Sequence, residues 1–338
     1  MNPSERAGLE TMASQVNVLG IGNAIVDVLA RVDDAFLAEI GADKRSMTLI
    51  DEERAVEVYE RMGPAVEMSG GSVANTIAGL AGLGGRAAFI GRVADDQLGR
   101  IFIHDLQSLG ASIRLPPFNG GAPTARSHIL ITPDGQRTMQ TYLGACAELG
   151  VQDVNERTMG DPEVVLLEGY AWDIPEGPAL ASEAMKVAER NGSVVALSLS
   201  DALCVDRHRD AYLDALTRHA GMVFGNESEM MALFDAATFE EAVERTSDHD
   251  ALFVMTRTEK GCVVAQGSEI IVQDAYPVDE VVDATGAGDA HTAAFLHQLA
   301  IGGSLKEGAV FASRCATAVI SQVGGRLDQH ALANLPDP

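Results

Sequence analysis

The chain runs to 338 residues, 46% of them apolar and only 5% aromatic, which is material for one large domain with a mainly aliphatic core. A formal net charge of −25 disfavours nucleic acid and anionic membranes as partners, and no apolar run approaches the ~18 residues that a membrane span needs. Cysteines at 146, 204, 262 and 315 follow no paired spacing, which argues against a zinc site or disulfide framework and for the reducing cytoplasm.

Residues 1–15 are polar and lack a secretory apolar core, so they read as a flexible extension ahead of one domain over 16–330. Val16–Gly20 reads as a buried strand ending in Gly22-Asn23, Met47–Ile50 as strand-like and Glu52–Met62 as a helix. Ser69-Gly70-Gly71-Ser72 opens a helix over Val73–Leu83, and Ala87–Ile90 is a strand before the helical spacing of Asp96–Leu109. Ser127–Thr132 and Arg137–Leu143 form a hairpin around Pro133-Asp134-Gly135.

Strands and helices then alternate. Val164–Glu168 precedes Gly177–Arg190, Val194–Leu199 precedes Asp210–Arg218, and Met222–Phe224 precedes Glu227–Leu233. Phe253–Met255 and Gly261–Ala265 are strands, and Gly308–Ser321 is the last helix. This rhythm predicts an α/β fold with a mainly parallel central sheet and helices on both faces, interrupted at about 24–50 and 127–143.

The chemistry concentrates in Asp283-Ala-Thr-Gly-Ala-Gly-Asp289, which feeds an apolar helix running to about Ala300. Small residues before a helix start aim free N–H groups and the positive dipole end at one spot, which suits phosphate. Asp289 falls in the first helical turn, where the dipole favours its ionised form. Phosphoryl transfer asks for positioning, charge stabilisation and one acceptor for the hydroxyl proton. The alternative is a Gly-rich turn with an aspartate cap.

Other signals are weaker singly. Gly20-Ile21-Gly22 lacks the third glycine of a dinucleotide fingerprint, and no Gly-Lys-Ser/Thr occurs among the four lysines, so a Walker loop is absent. The histidines show no metal-ligand pairing; His291 and His297, six apart, do not share a helix face.

Taken together, Asp283–Asp289 and Ser69-Gly-Gly-Ser-Val-Ala-Asn75 resemble the two signatures of the ribokinase-like (PfkB) sugar and nucleoside kinases. The resemblance implies a ribokinase-like fold in which 24–50 and 127–143 form a small β lid over the acceptor site. It makes Asp289 the catalytic base and Gly286, Ala287 and Gly288 the anion hole. Asn23, Asp27, Gly70, Gly71 and Asn75 match substrate-binding positions, although Asp27 alone also reads as a turn cap and Ser72 alone as a helix cap.

Asn226-x-x-Glu229 matches the family pattern that reaches magnesium through water, and Thr256 and Gly261 border the nucleotide groove. Asp283 and Thr285 match a monovalent-cation site, with potassium as its ion. Arg137 is placed to reach substrate or phosphate on lid closure, unless it is simply solvated. His291 stands where the family usually has Phe, and Arg257 where it often has Gly.

Gly22-Asn-Ala-Ile-Val-Asp27, Val32–Leu37, Leu197–Ser200 and Val223–Glu229 are most similar to adenosine kinases, and the likeness spans about Val16 to Gly325. It implies ATP- and magnesium-dependent phosphorylation of a ribonucleoside 5′-hydroxyl, adenosine foremost, by a monomer or a homodimer. A kinase of ribose, fructose or a keto-deoxy sugar acid is the alternative, and a non-catalytic nucleoside-binding protein is another.

Overall fold

The computed structural model describes residues 17–322, 324–327 and 329–335; the expected extension over 1–15 lies outside them. In chain order the first strands are β1 (Val18–Ile21), β2 (Ile25–Arg31), β3 (Met47–Leu49), β4 (Ala65–Gly70), β5 (Ala87–Ile90), β6 (Ser112–Ile113), β7 (Ala125–Ile131) and β8 (Arg137–Tyr142). They are followed by β9 (Val164–Glu168), β10 (Val194–Ser198), β11 (Ala220–Asn226), β12 (Leu252–Thr256), β13 (Cys262–Gln266) and β14 (Glu269–Gln273).

Nine of these build the central sheet in the order β14-β13-β12-β11-β10-β9-β1-β5-β6. All neighbours from β12 to β6 are parallel, and only the β12-β13-β14 meander is antiparallel. The central strands read as continuous apolar runs because both faces are covered. In β12, Leu252 and Val254 join the core under helices Ser72–Gly82, Ala287–Ala300 and Leu305–Ile320. Phe253 and Met255 join the opposite core with helices Gly177–Asn191, Ala202–Arg218 and Phe239–Thr246. Phe295 packs edge-on to Phe224 at 6.0 Å, fully buried, so Phe295→Ala would cost about 3–5 kcal/mol.

The other five strands form a smaller sheet, β3-β8-β7-β2-β4. It contains the two interrupting segments and one element absent from the sequence reading, β4, which pairs antiparallel with β2 from Ala65 to Gly70. As a short edge strand, exposed at Ala65 and Val66 and buried only at Ser69 and Gly70, it carries little apolar alternation.

Helices Asp34–Glu39 and Phe239–Thr246 and strand β14 also go beyond the sequence reading, and helix Ala202–Arg218 begins well before Asp210. That helix carries a non-helical residue at His208 (φ −121°), which breaks its periodicity. Among the described residues no helix is long and apolar enough to cross a membrane.

Candidate active site

Helix Ala287–Ala300 starts at Gly286, whose φ of 71° and approach to the next loop admit only glycine: a Cβ there would lie 1.9 Å from Gly325 O. The first-turn N–H groups have no intrahelical acceptor, and Ala287 N reaches back only to Ala284 O at 3.4 Å. Asp289 sits in this turn. Its Oδ1 accepts from Ser72 Oγ at 2.7 Å and its Oδ2 from Asn75 Nδ2 at 3.2 Å. Burial pushes its carboxyl up to about 6, while Ser72, Asn75 and Arg326 pull it back.

Both donors come from helix Ser72–Gly82. Its N-cap is Gly71 (φ 95°), where a Cβ would lie 2.4 Å from Asn23 O. The alternative of Ser72 as a helix cap is not met: no side-chain cap bond is present, and the hydroxyl is directed at Asp289. Asn23, which follows β1, is buried, and its Oδ1 has no partner among the described residues. Asp27 extends from β2 beside Gly70; burial raises it to about 7 against the lowering pull of Arg326 and Arg137. Asn23, Asp27, Gly70, Gly71, Asn75 and Asp289 thus converge on one spot between the two sheets.

Two residues there escaped the sequence reading. Glu168, at the end of β9, is 1% exposed, and its Oε2 accepts from Asn23 N at 3.3 Å and Val73 N at 3.1 Å. It thereby staples the end of β1 to the start of helix Ser72–Gly82, and burial raises it to about 8. An acid closing the apolar run Val164–Leu167 was the available signal. Arg326 follows the last long helix and donates from Nε to Asn75 Oδ1 at 3.2 Å and from Nη2 to Ser69 Oγ at 2.7 Å. A lone arginine after Gly324-Gly325 has no periodicity to betray it.

Arg137, on β8, donates to Thr285 Oγ1 at 2.8 Å and pairs with the Asp283 carboxylate. Asp283 also accepts from Thr285 N at 3.0 Å and Gly324 N at 2.8 Å. Both residues expected to hold a monovalent cation are therefore engaged by a guanidinium.

Asp289 also lines a cavity of about 100 Å³, together with Ser72, Asn226, Glu229, Thr256 and His291 among others. No lysine or arginine lines it, so an anion bound there would meet N–H groups and hydroxyls. Asn226 and Glu229 form a reciprocal capping box: Asn226 Oδ1 accepts from Glu229 N at 3.0 Å, and Glu229 Oε2 accepts from Asn226 N at 2.9 Å. Burial raises Glu229 to about 7. Both Glu229 oxygens are taken up by Asn226, Oε1 accepting from Nδ2 at 2.6 Å, so a magnesium ion there would be reached through water rather than bound directly.

His291 lines the cavity as a neutral ring, lowered to about 4 by burial. Gly261 lies outside this lining; it closes the turn between β12 and β13 with φ 80°. Arg257 is also turned away, over the Phe239 ring at 3.9 Å and onto Glu227 Oε2 at 2.9 Å.

Among the described residues, one group of metal-ligand residue types assembles elsewhere: Asp173, Cys204 and His208, with ligand atoms within 4.8 Å of one another. The i, i+4 spacing of Cys204 and His208 passed unnoticed in the sequence. Arg207 donates to both Asp173 oxygens, at 3.2 and 2.5 Å, so that carboxylate already has its counter-ion.

Comparison with known proteins gives the family and the fold. The pfkB family carbohydrate kinase model matches residues 36–332. An adenosine kinase structure from Sinorhizobium meliloti is 45% identical, with a TM-score of 0.87, covering 94% of this chain and 98% of its own. A probable sugar kinase from Rhizobium etli CFN 42 is 42% identical at the same TM-score of 0.87, covering 95% of this chain and 97% of its own. An ATP-dependent ribose-1-phosphate kinase of Halopiger xanaduensis is 28% identical, covering 92% of this chain and 94% of its own.

Proposed function

Because the chain belongs to the pfkB family of carbohydrate kinases, we propose that this phosphotransferase acts on the 5′-hydroxyl of a ribonucleoside, adenosine foremost, with ATP as donor. The observation that carries the nucleoside reading is one row across the small sheet. Val66, Leu29, Ile129, Met139 and Met47 stand opposite one another on β4, β2, β7, β8 and β3. They share a face with the next row, Met68, Asp27, Ser127 and Thr141, because residues two apart along a strand point the same way.

Asp27 lies against Gly70, just before the helix that carries Ser72 and Asn75, which supports placing this face over the acceptor site. An unbroken apolar row beside one that is polar in its middle, at Asp27, Ser127 and Thr141, suits a nucleobase lying next to its ribose. A bare sugar offers nothing for Leu29 and Met139 to cover.

In this reading Asn23, Asp27, Gly70, Gly71 and Asn75 hold the ribose. Asp289 accepts the proton of the attacking hydroxyl while the oxygen forms its bond to the γ-phosphorus and the bond to the ADP oxygen breaks. The N–H groups of Gly286, Ala287 and Gly288 take up the developing charge. Magnesium, when bound, neutralises phosphate charge; Asn226 and Glu229 would hold it through water, with Thr256 beside the phosphates. Asp283 and Thr285 would take a monovalent cation only where Arg137 withdraws.

The second reading, a sugar kinase, is supported by the similarity to the Rhizobium etli and Halopiger proteins. A panel of adenosine, ribose, ribose 1-phosphate, fructose and a keto-deoxy sugar acid, followed by coupled ADP release, decides between them. Adenosine far ahead supports the nucleoside reading, and equal or faster turnover of a sugar overturns it. Calorimetric binding of adenosine without any turnover would indicate a non-catalytic binder.

A further inference from the structure

We infer that Arg326 is a positioning residue for the acceptor site: from the loop beyond the last long helix it fixes the amide of Asn75, and through that amide the carboxylate of Asp289. The inference rests on the reading of Asp289 as the base. A guanidinium offers only donors and an ionised carboxylate only acceptors. The Asn75 amide lies between them, taking Arg326 Nε–H on Oδ1 and giving Nδ2–H to Asp289 Oδ2. Only one orientation of the amide satisfies both neighbours. Without Arg326 the amide is free to turn its oxygen toward Asp289, which would replace an attraction by a repulsion.

The guanidinium is itself anchored. Its Nη2 donates to Ser69 Oγ, and Ser69 is held from the other side by Asp105, whose Oδ2 accepts from Ser69 N at 2.9 Å and Ser69 Oγ at 3.1 Å. Ser69 belongs to β4 and Asp105 to helix Gln97–Ser108, so three separate elements fix one arginine. The neighbouring residues of the same loop brace the other side of the site: Gly324 N donates to Asp283, and Gly325 lies against Gly286.

Charge adds a second effect. Arg326 faces Asp27 from β2, Asp105 from its helix and Asp289, and it lowers both Asp27 and Asp289. The remaining ionisable groups that act on these carboxylates are Arg137 from β8, Glu168 from β9 and Glu229 from the helix after β11. Asp289 must be ionised to accept a proton, so the rate is present above its pKa and lost below it. Removing the cation raises that pKa and moves the acidic limb of the rate to higher pH.

The test uses the whole enzyme with adenosine and magnesium ATP. Arg326→Met should lower kcat about a hundredfold and shift the acidic limb upward by about one unit or more. Arg326→Lys keeps the charge but cannot bridge Asn75 and Ser69; it should lower kcat and leave the limb near its original place. Arg326→Met with an unchanged rate, or with a lowered rate and an unmoved limb, overturns the inference. Where Arg326→Met lacks a cooperative thermal transition, Arg326→Lys decides: a wild-type kcat there also overturns it. Asp289→Asn serves as control. If that variant keeps its rate, the base assignment fails; if it is inactive while the Arg326 variants are normal, only the positioning role fails.

Discussion

Arg137 ties the small sheet to the loop before helix Ala287–Ala300, through the buried carboxylate of Asp283 and through Thr285 Oγ1 at 2.8 Å. The Asp283 side chain is 2% exposed, so loss of the guanidinium leaves a charge without a counter-ion in a dry setting. Arg137→Met should therefore destabilise the fold by roughly 3–5 kcal/mol, the usual cost of breaking a buried pair from one side. Chemical denaturation measures it. Potassium chloride, compared with choline chloride at equal ionic strength, should restore part of the loss in the variant and do little for the wild type. Equal effects of the two salts would show that Asp283 and Thr285 have no cation affinity.

With Asp289 as the proposed base, its carboxyl, raised to about 6 by burial, should set the acidic limit of turnover. With the ionised form as the active base, kcat should rise with pH through about 6 and level off above it. Asp289→Asn removes the acceptor but keeps a side chain able to face Ser72 and Asn75. It should lower kcat by about 10²- to 10⁴-fold with nucleoside binding largely retained. Single-turnover rates across pH, alongside calorimetry, check both statements; a variant within a few-fold of wild type would remove the base.

Leu29 lies in the apolar row, between Val66 and Ile129, and is only partly buried. Leu29→Ser should lower kcat/KM for adenosine by about 10- to 100-fold, from the roughly 1.5–3 kcal/mol that a Leu side chain gains on full burial. Turnover of free ribose, however slow, should be unaffected. Parallel loss for both acceptors would mean that the row supports the sheet rather than the base.

The parts that were legible in sequence are those where local chemistry is self-sufficient. Gly286 and Gly71 announce themselves because their positive φ and the backbone beside them leave no alternative residue. The central strands read correctly because burial on both faces makes them uniformly apolar. β4 was missed because an edge strand with Val66 64% exposed has no such signature. Arg326 was missed for a different reason: its meaning comes from Asn75 and Ser69, more than two hundred residues away in sequence. Arg137 was seen as a lid residue, but its partners Asp283 and Thr285 had been assigned to a cation, since spacing cannot say which positive charge fills a site.

Glu168 offers a test of stability that is independent of activity. Its carboxyl is raised from the ordinary range to about 8, chiefly by burial, with Asp289 adding to the rise and the Val73 and Asn23 N–H groups opposing it. A carboxyl whose folded pKa lies above its unfolded one binds its proton more tightly in the folded state. Its contribution is therefore fully favourable at low pH, falls as pH rises past the unfolded value near 4.5, and is exhausted above about 8.

Glu168→Gln keeps an oxygen for the two N–H groups and replaces the proton by a permanent amide, so it cannot ionise. The variant should match the wild type near pH 5 and be the more stable of the two at pH 8 to 9, by up to about 1.4 kcal/mol for each unit of pKa shift relieved. Urea unfolding across this range gives the difference directly. Parallel stability curves for the two proteins would mean that the ion at Glu168 is solvated or neutralised, and that its place between Asn23 and Val73 carries no buried charge.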